Sequence, residues 1–296
     1  MQSNFGPDEE IERIRSARRG LLVYFALLVP LSTLGYVLAL HFPLGALFLM
    51  WAPGLSSIGA RLLLREGIAD ISLRFGGRRT VRALPFILLY PVVIGLLAYG
   101  IAWGTGLASY TDPDTFIHAP PGLLFAAVLL FQVVAGTVVG LIGSVGEELG
   151  WRGYMLTRLV DARIPRPLLT SGIIWGIWHL PVILFGHYDS GPYPVLSVLL
   201  FMISVTSFGC VIGRLRLTTG SIWPAFLLHA CWNAVIQDAF DSSTTGAHAL
   251  LWTGESGVLV ALALLATALL MSRRPLIARR LSDVETREHS GADLHG

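Results

Sequence analysis

Residues 122–152 read GLLFAAVLLFQVVAGTVVGLIGSVGEELGWR. The first 23 of these, 122–144, carry no charge, and about 20 apolar residues suffice for a helix to cross the roughly 30 Å hydrocarbon core of a bilayer. Glu147, Glu148 and Arg152 follow at once. A membrane span that ends in two acids and a base places the fold and a candidate chemistry in one segment.

Working outward, seven further stretches have the same character: 20–42, 44–64 and 84–104 before it, and 167–185, 194–215, 220–238 and the shorter 257–272 after it. The expected fold is therefore all-α, a polytopic membrane protein of about eight transmembrane helices over residues 20–272. A cytoplasmic N-terminal tail, 1–19, and a polar, disordered cytoplasmic C-terminal tail, 273–296, flank it. Composition agrees, with 54% hydrophobic and only 14% charged side chains against roughly 25% charged in an ordinary soluble domain.

Arginine placement tests the count, because cytoplasmic loops are enriched in basic residues. All 21 basic residues are arginine. They precede the first span (Arg13, Arg15, Arg18, Arg19), or lie between the second and third (Arg61 to Arg82) or the fourth and fifth (Arg152 to Arg166). The rest sit between the sixth and seventh (Arg214, Arg216) or after the eighth (Arg273 to Arg287). The alternate connections contain none, so eight spans with both termini cytoplasmic account for every position. A net charge of +2 leaves no basic surplus for a phosphate backbone, and nucleic acid is not an expected partner. Cys210 and Cys231 lie in apolar stretches and form no C-x-x-C pair, which excludes a disulfide framework.

The first span is longer than the 7 to 15 apolar residues of a signal peptide, so it reads as a retained helix. Residues 66–82, basic with scattered apolar side chains, read either as a segment lying on anionic lipid or as a solvated loop.

Ionisable residues inside apolar helices are expensive and mark function by default. On a helix, residues four apart share a face, so Glu148 pairs with Arg152 and leaves Glu147 free. Trp175 and His179 stack in the fifth span beside Pro181, which kinks it. His229 and Asn233 form the same pair in the seventh. Each cluster has a plainer reading: a surface ion pair, a packing histidine bonded to a backbone carbonyl, interhelical glue. His41, His118, His187 and His248 fall in or beside the arginine-free connections and read as exterior residues. With upright helices, Glu147 near the inner end of the fourth span does not reach the depth of His179 and His229. A tilted span, or helices extended into water, is required.

A carboxylate, two imidazoles and an amide converging in a wet, low-dielectric cavity are the parts needed to hydrolyse an amide. The carboxylate takes a proton from water, and imidazole or Asn donors stabilise the oxyanion. Glu with two His is equally a catalytic zinc ligand set. No H-E-x-x-H, G-x-S-x-G or Walker loop is present.

These motifs resemble those of the CAAX-type intramembrane endopeptidases, also called the CPBP or ABI family, whose pattern is E-E-x-x-x-R, F-x-x-x-H and H-x-x-x-N on separate helices. Glu147, Glu148 and Arg152 match the first. Trp175 and His179 match the second with tryptophan replacing phenylalanine, and His229 and Asn233 match the third. The resemblance covers residues 122–238. It implies an intramembrane endopeptidase with its active-site cavity open to the cytoplasmic side, acting on a membrane-embedded or membrane-proximal peptide or protein. By the same resemblance Glu147 activates water, Glu148 and Arg152 support it, His179 orients the water, and His229 and Asn233 stabilise the oxyanion. If a metal is used, Zn2+ on Glu147, His179 and His229 is implied; the family has also been described as glutamate-dependent without metal. The lysine-free composition looks bacterial, which points to the plasma membrane. The competing readings are a non-proteolytic scaffold or bacteriocin self-immunity protein of the same fold, and a proton-coupled transporter, against which the absence of sequence symmetry between the halves argues.

Overall fold

The computed structural model describes residues 6–42, 44–115, 119–185 and 193–273. Among the described residues nine helices form a bundle: α1 (Pro7–His41), α2 (Gly45–Leu64), α3 (Arg78–Thr105), α4 (Pro121–Asp161), α5 (Pro167–Phe185), α6 (Pro194–Thr219), α7 (Trp223–Trp232, continuing as a π segment Asn233–Asp241), α8 (Ala249–Trp252) and α9 (Val258–Ser272). α1 to α6 are each long and apolar enough to cross a membrane. α9 has 15 residues and reaches only about 22 Å at 1.5 Å per residue, short of a full crossing. The one departure from an all-helical fold is a two-residue antiparallel ladder, Ser109–Tyr110 with Thr244–Thr245, joining the connections that follow α3 and α7.

Exposed side chains on the first half of α4, among them Leu123, Leu130, Phe131, Val138 and Ile142, form a surface that suits lipid tails, where every backbone polar group must already be bonded within the helix. Its second half is the opposite: from Gly146 to Leu156 only Leu149 escapes full burial. The fourth span does not stop near residue 144. The helix runs 41 residues, through π turns at Gln132–Gly136 and Trp151–Met155, to Asp161. Glu147 therefore lies 14 residues, about 21 Å, from the end of its helix, and the depth mismatch disappears.

Small residues let the helices close on one another, as in membrane bundles generally. A Cβ on Gly54 of α2 would sit 2.6 Å from the Gly146 carbonyl oxygen, and one on Gly172 of α5 would sit 2.7 Å from that of Thr206 on α6. Both contacts are backbone against backbone, so no side chain can yield.

The arginine-rich end is tied by ion pairs. α1 begins at Pro7, so most of the expected N-terminal tail is helix; Arg13 bonds Asp161 at 2.5 Å, and Arg163 pairs with Glu10. Within residues 66–82, Ile68, Leu73 and Phe75 are exposed, while Glu66 and Asp70 are tied to the bundle. Asp70, in a 3-10 turn (Ala69–Ile71), takes a bidentate pair from Arg61 at 2.6 and 3.0 Å and a bond from Arg158 at 2.9 Å. Arg158 also holds Glu66 at 2.8 Å, while Arg216 donates to the Asp70 carbonyl at 2.7 Å. One short turn thus joins α2, α4 and α6. Burial alone would raise the Asp70 carboxyl, but the hydrogen bond from Arg61 and the charge of Arg158 outweigh it and hold it below the usual carboxylate range. The C-terminal tail beyond Arg273, with His118 and His187, lies outside the described residues.

Candidate active site

α4, α5 and α7 bring the three sequence motifs together. Trp175 Nε1 donates to Glu147 Oε2 at 2.9 Å. Arg152 Nη1 donates to Glu148 Oε1 at 2.7 Å, and His229 Nδ1 lies 2.9 Å from the same oxygen. The Arg152 guanidinium also sits 4.2 Å from the centre of the Trp175 ring, a cation–π contact in a desolvated setting. Glu148 and Arg152 are both fully buried, which overturns the surface-ion-pair reading: this pair is internal and bridges α4 to α7.

His179 Nδ1 lies 2.9 Å from the Trp175 carbonyl oxygen. Carbonyl and carboxylate oxygens accept, so these partners assign the Nδ1 proton in His179 and His229 alike and leave each Nε2 for other work. The packing reading of His179 is right about its carbonyl bond and incomplete, because the ring also lines a cavity.

That cavity, of about 570 Å³, is lined by Glu147, Trp175, His179, His229 and Asn233 together with apolar residues of α1, α2, α5 and α6. Large, mostly apolar cavities with a few convergent polar groups are the usual form of a small-molecule or peptide site. Its lining extends to Tyr36 and Leu40 of α1, Ala46 of α2 and Phe185 of α5, which are the arginine-free ends of those helices. At the arginine-rich end, the turn around Asp70 bonds Arg61 of α2, Arg158 of α4 and Arg216 of α6.

Among the described residues, no three His, Cys, Asp or Glu side chains are grouped so as to hold a metal ion. Glu147, His179 and His229 share the cavity but are not among any such group, with one Glu147 oxygen bonded to Trp175 and His229 Nδ1 facing Glu148. His41 and His248 lie outside the cavity lining.

Three features escaped the sequence reading. Trp175 is a hydrogen-bond donor to the acid as well as a packing aromatic. Glu255 and Gln237 line the same cavity; an acid in an arginine-free connection, T-G-E-S-G at 253–257, was the available signal for the first. Gln237, one turn beyond Asn233, was the signal for the second.

Residues 129–235, which hold all three motifs, match the family model described as Type II CAAX prenyl endopeptidase Rce1-like. The CAAX prenyl protease 2 of Methanococcus maripaludis is 25% identical over 131 residues, covering 43% of this chain and 44% of that protein. The match thus spans less than half the length of either. The similarity to the Rce1-like type II CAAX prenyl endopeptidases is carried by residues 129–235.

Proposed function

We propose that this chain is an intramembrane endopeptidase that hydrolyses a peptide bond in a membrane-embedded or membrane-proximal peptide or protein, using Glu147 to activate water. The observation that carries the reading is the bond from Trp175 to Glu147 Oε2 at the wall of a cavity shared with His179, His229 and Asn233. One carboxylate oxygen is anchored and the other is left to accept a proton from water.

His179, with its Nδ1 proton held by the Trp175 carbonyl, offers Nε2 as an acceptor that orients the attacking water. The hydroxide equivalent adds to the scissile carbonyl carbon. Asn233 donates to the developing oxyanion, and His229, held at Nδ1 by Glu148, presents Nε2 beside it. Glu147 then passes its proton to the departing amine nitrogen. Arg152 holds Glu148 in place through their 2.7 Å bond. A Zn2+ ion, if bound, would act as a Lewis acid on the carbonyl; the side chains present do not form its ligand set, and no step is assigned to it.

Eight crossings with both termini cytoplasmic, in a bacterial plasma membrane, remain our topology. α7 supplies the seventh, α9 together with the residues before it the eighth, and the arginine alternation supports the count.

The decisive experiment offers a peptide library to purified wild type and Glu147→Gln in detergent. Cleavage is expected to fall by about 10³-fold in the variant with the melting temperature retained. Equal turnover by both would remove Glu147 from this role.

A further inference from the structure

One face of α3 runs from the arginine-rich end into the apolar layer without a break. Arg78, Arg82, Pro85, Leu89, Val93 and Leu96 recur at intervals of three and four, which places them on one stripe of the helix, and all six are exposed. Thr80, Ile87, Tyr90 and Ile94 are buried on the opposite side. α3 is long and apolar enough to cross a membrane, so lipid tails cover the stripe from Leu89 onward. From Arg82 to Val93 the helix rises about 16 Å, half of the roughly 30 Å hydrocarbon core. One acyl chain matches that stretch.

The two arginines at the head of this stripe lack a counterion. Among the described residues neither Arg78 nor Arg82 takes part in a hydrogen bond or ion pair, whereas Arg13, Arg61, Arg152 and Arg158 are all paired. The first turn of α3 holds no acid, in contrast with Asp8, Glu9 and Glu10 in that of α1. Their guanidiniums therefore stand beside the positive end of the helix dipole with no acid to offset it. The residues ahead of the helix are firmly held: the Ile222 N–H donates to the Ser72 carbonyl at 3.2 Å, Trp223 Nε1 to the Leu73 carbonyl at 2.7 Å and Ser221 Oγ to the Arg74 carbonyl at 2.8 Å. They nonetheless leave Leu73 and Phe75 exposed, with the Phe75 ring 6.2 Å from that of Trp223. A tryptophan whose N–H is bonded and whose ring lies beside exposed apolar side chains suits the headgroup level of a bilayer.

We infer that Arg78 and Arg82 bind the phosphate of an anionic phospholipid whose acyl chain lies along Leu89 and Val93. Guanidinium groups match phosphate oxygens in geometry as well as in charge. A soluble acidic partner would reach the arginines and not the apolar stripe. A zwitterionic lipid would cover the stripe and bring no net charge to the arginines. An anionic lipid answers both. Arg78, Arg82, Leu89 and Val93 lie outside the cavity lining, so the site stands apart from the protease reading.

The test titrates purified protein in detergent with phosphatidylglycerol and with phosphatidylcholine of the same acyl chains, and reads bound lipid by native mass spectrometry. An arginine near an anionic surface is worth about fivefold in affinity, so the wild type is expected to favour phosphatidylglycerol by about 25-fold. In Arg78→Gln with Arg82→Gln the preference is expected to fall to about one. Arg18→Gln with Arg19→Gln, exposed on α1, removes the same charge elsewhere on this face and is expected to keep it. Glycerol phosphate, the headgroup without tails, is expected not to compete. No preference in the wild type, a preference unchanged in the α3 pair, or an equal loss in the α1 pair would overturn the inference. Competition by glycerol phosphate at the concentrations where the lipid binds would overturn it too, in favour of a site for soluble phosphate. If the α3 pair does not fold, a phosphatidylglycerol carrying a photoreactive acyl chain decides on the wild type alone. Crosslinks are expected on residues 85–96, and crosslinks spread evenly over the lipid-facing helices would refute the site.

Discussion

The indole nitrogen of Trp175 stands 2.9 Å from Oε2 of Glu147, and the carbonyl of the same tryptophan stands 2.9 Å from Nδ1 of His179. One residue therefore positions both the proposed base and the proposed water-orienting imidazole, the first through its side chain and the second through its backbone. The family pattern that the sequence resembles has phenylalanine here, which could do only the second.

Trp175→Phe should keep the carbonyl and the ring packing but remove the donor. We expect kcat to fall about tenfold, the worth of a hydrogen bond to a charged group, with KM nearly unchanged and the melting temperature lowered by loss of a buried donor and ring volume. A KM effect with constant kcat would show that Trp175 binds substrate instead.

Gly146→Ala should act through geometry. Its added carbon would lie 2.7 Å from the Trp51 ring and 2.8 Å from the Trp51 Cα, forcing α2 from α4 one residue away from Glu147. Overpacking of this kind costs about 1–3 kcal/mol, read as a lower melting temperature in detergent. Gly100→Ala on α3, where the new carbon meets nothing within 4 Å, is the control and should melt like wild type.

Asp70→Asn should uncouple the arginine-rich ends of α2, α4 and α6. Because the folded carboxyl is held below its ordinary value, its contribution is complete above the unfolded value of about 4 and is lost as pH falls through the lowered folded one. The variant is expected to lose about 3 kcal/mol at neutral pH, the low end for breaking a buried pair because the Asp70 side chain remains 25% exposed. Its stability should change less than that of wild type on acidification. Parallel melting curves from pH 7 to pH 3 for both proteins would refute the assignment.

Metal dependence has a direct readout. Since no ligand set forms among the described residues, purified active protein is expected to carry well under one zinc per chain by elemental analysis and to keep its turnover in EDTA. Stoichiometric zinc that leaves together with activity would require Glu147, His179 and His229 to rearrange into a ligand set.

Much of this was legible because hydropathy and arginine placement report the same boundaries independently, and because i, i+4 spacing shows which polar residues share a face. The end of α4 was not. Glu147, Glu148 and Arg152 lower the local hydropathy as a solvated helix end would, yet they are buried, since Glu148 and Arg152 neutralise each other while Trp175 and His229 bond the two acids. The ties of Asp70 were not legible for a related reason: its bonds to Arg158 and Arg216 lie 88 and 146 positions apart, and such pairings leave no local periodicity.

The shortness of α9 and the polar loop before it bear on biogenesis. A 15-residue helix led by T-G-E-S-G is a poor substrate for release from the translocon into lipid, since each unsatisfied polar group there costs several kcal/mol. It needs a seat already built by α3, α6 and α7, where Tyr99 and Trp232 wait to receive it. α9 is thus expected to dock after the helices before it, held at its start by the bonds of Gly254 to Tyr99 and of Glu255 to Trp232.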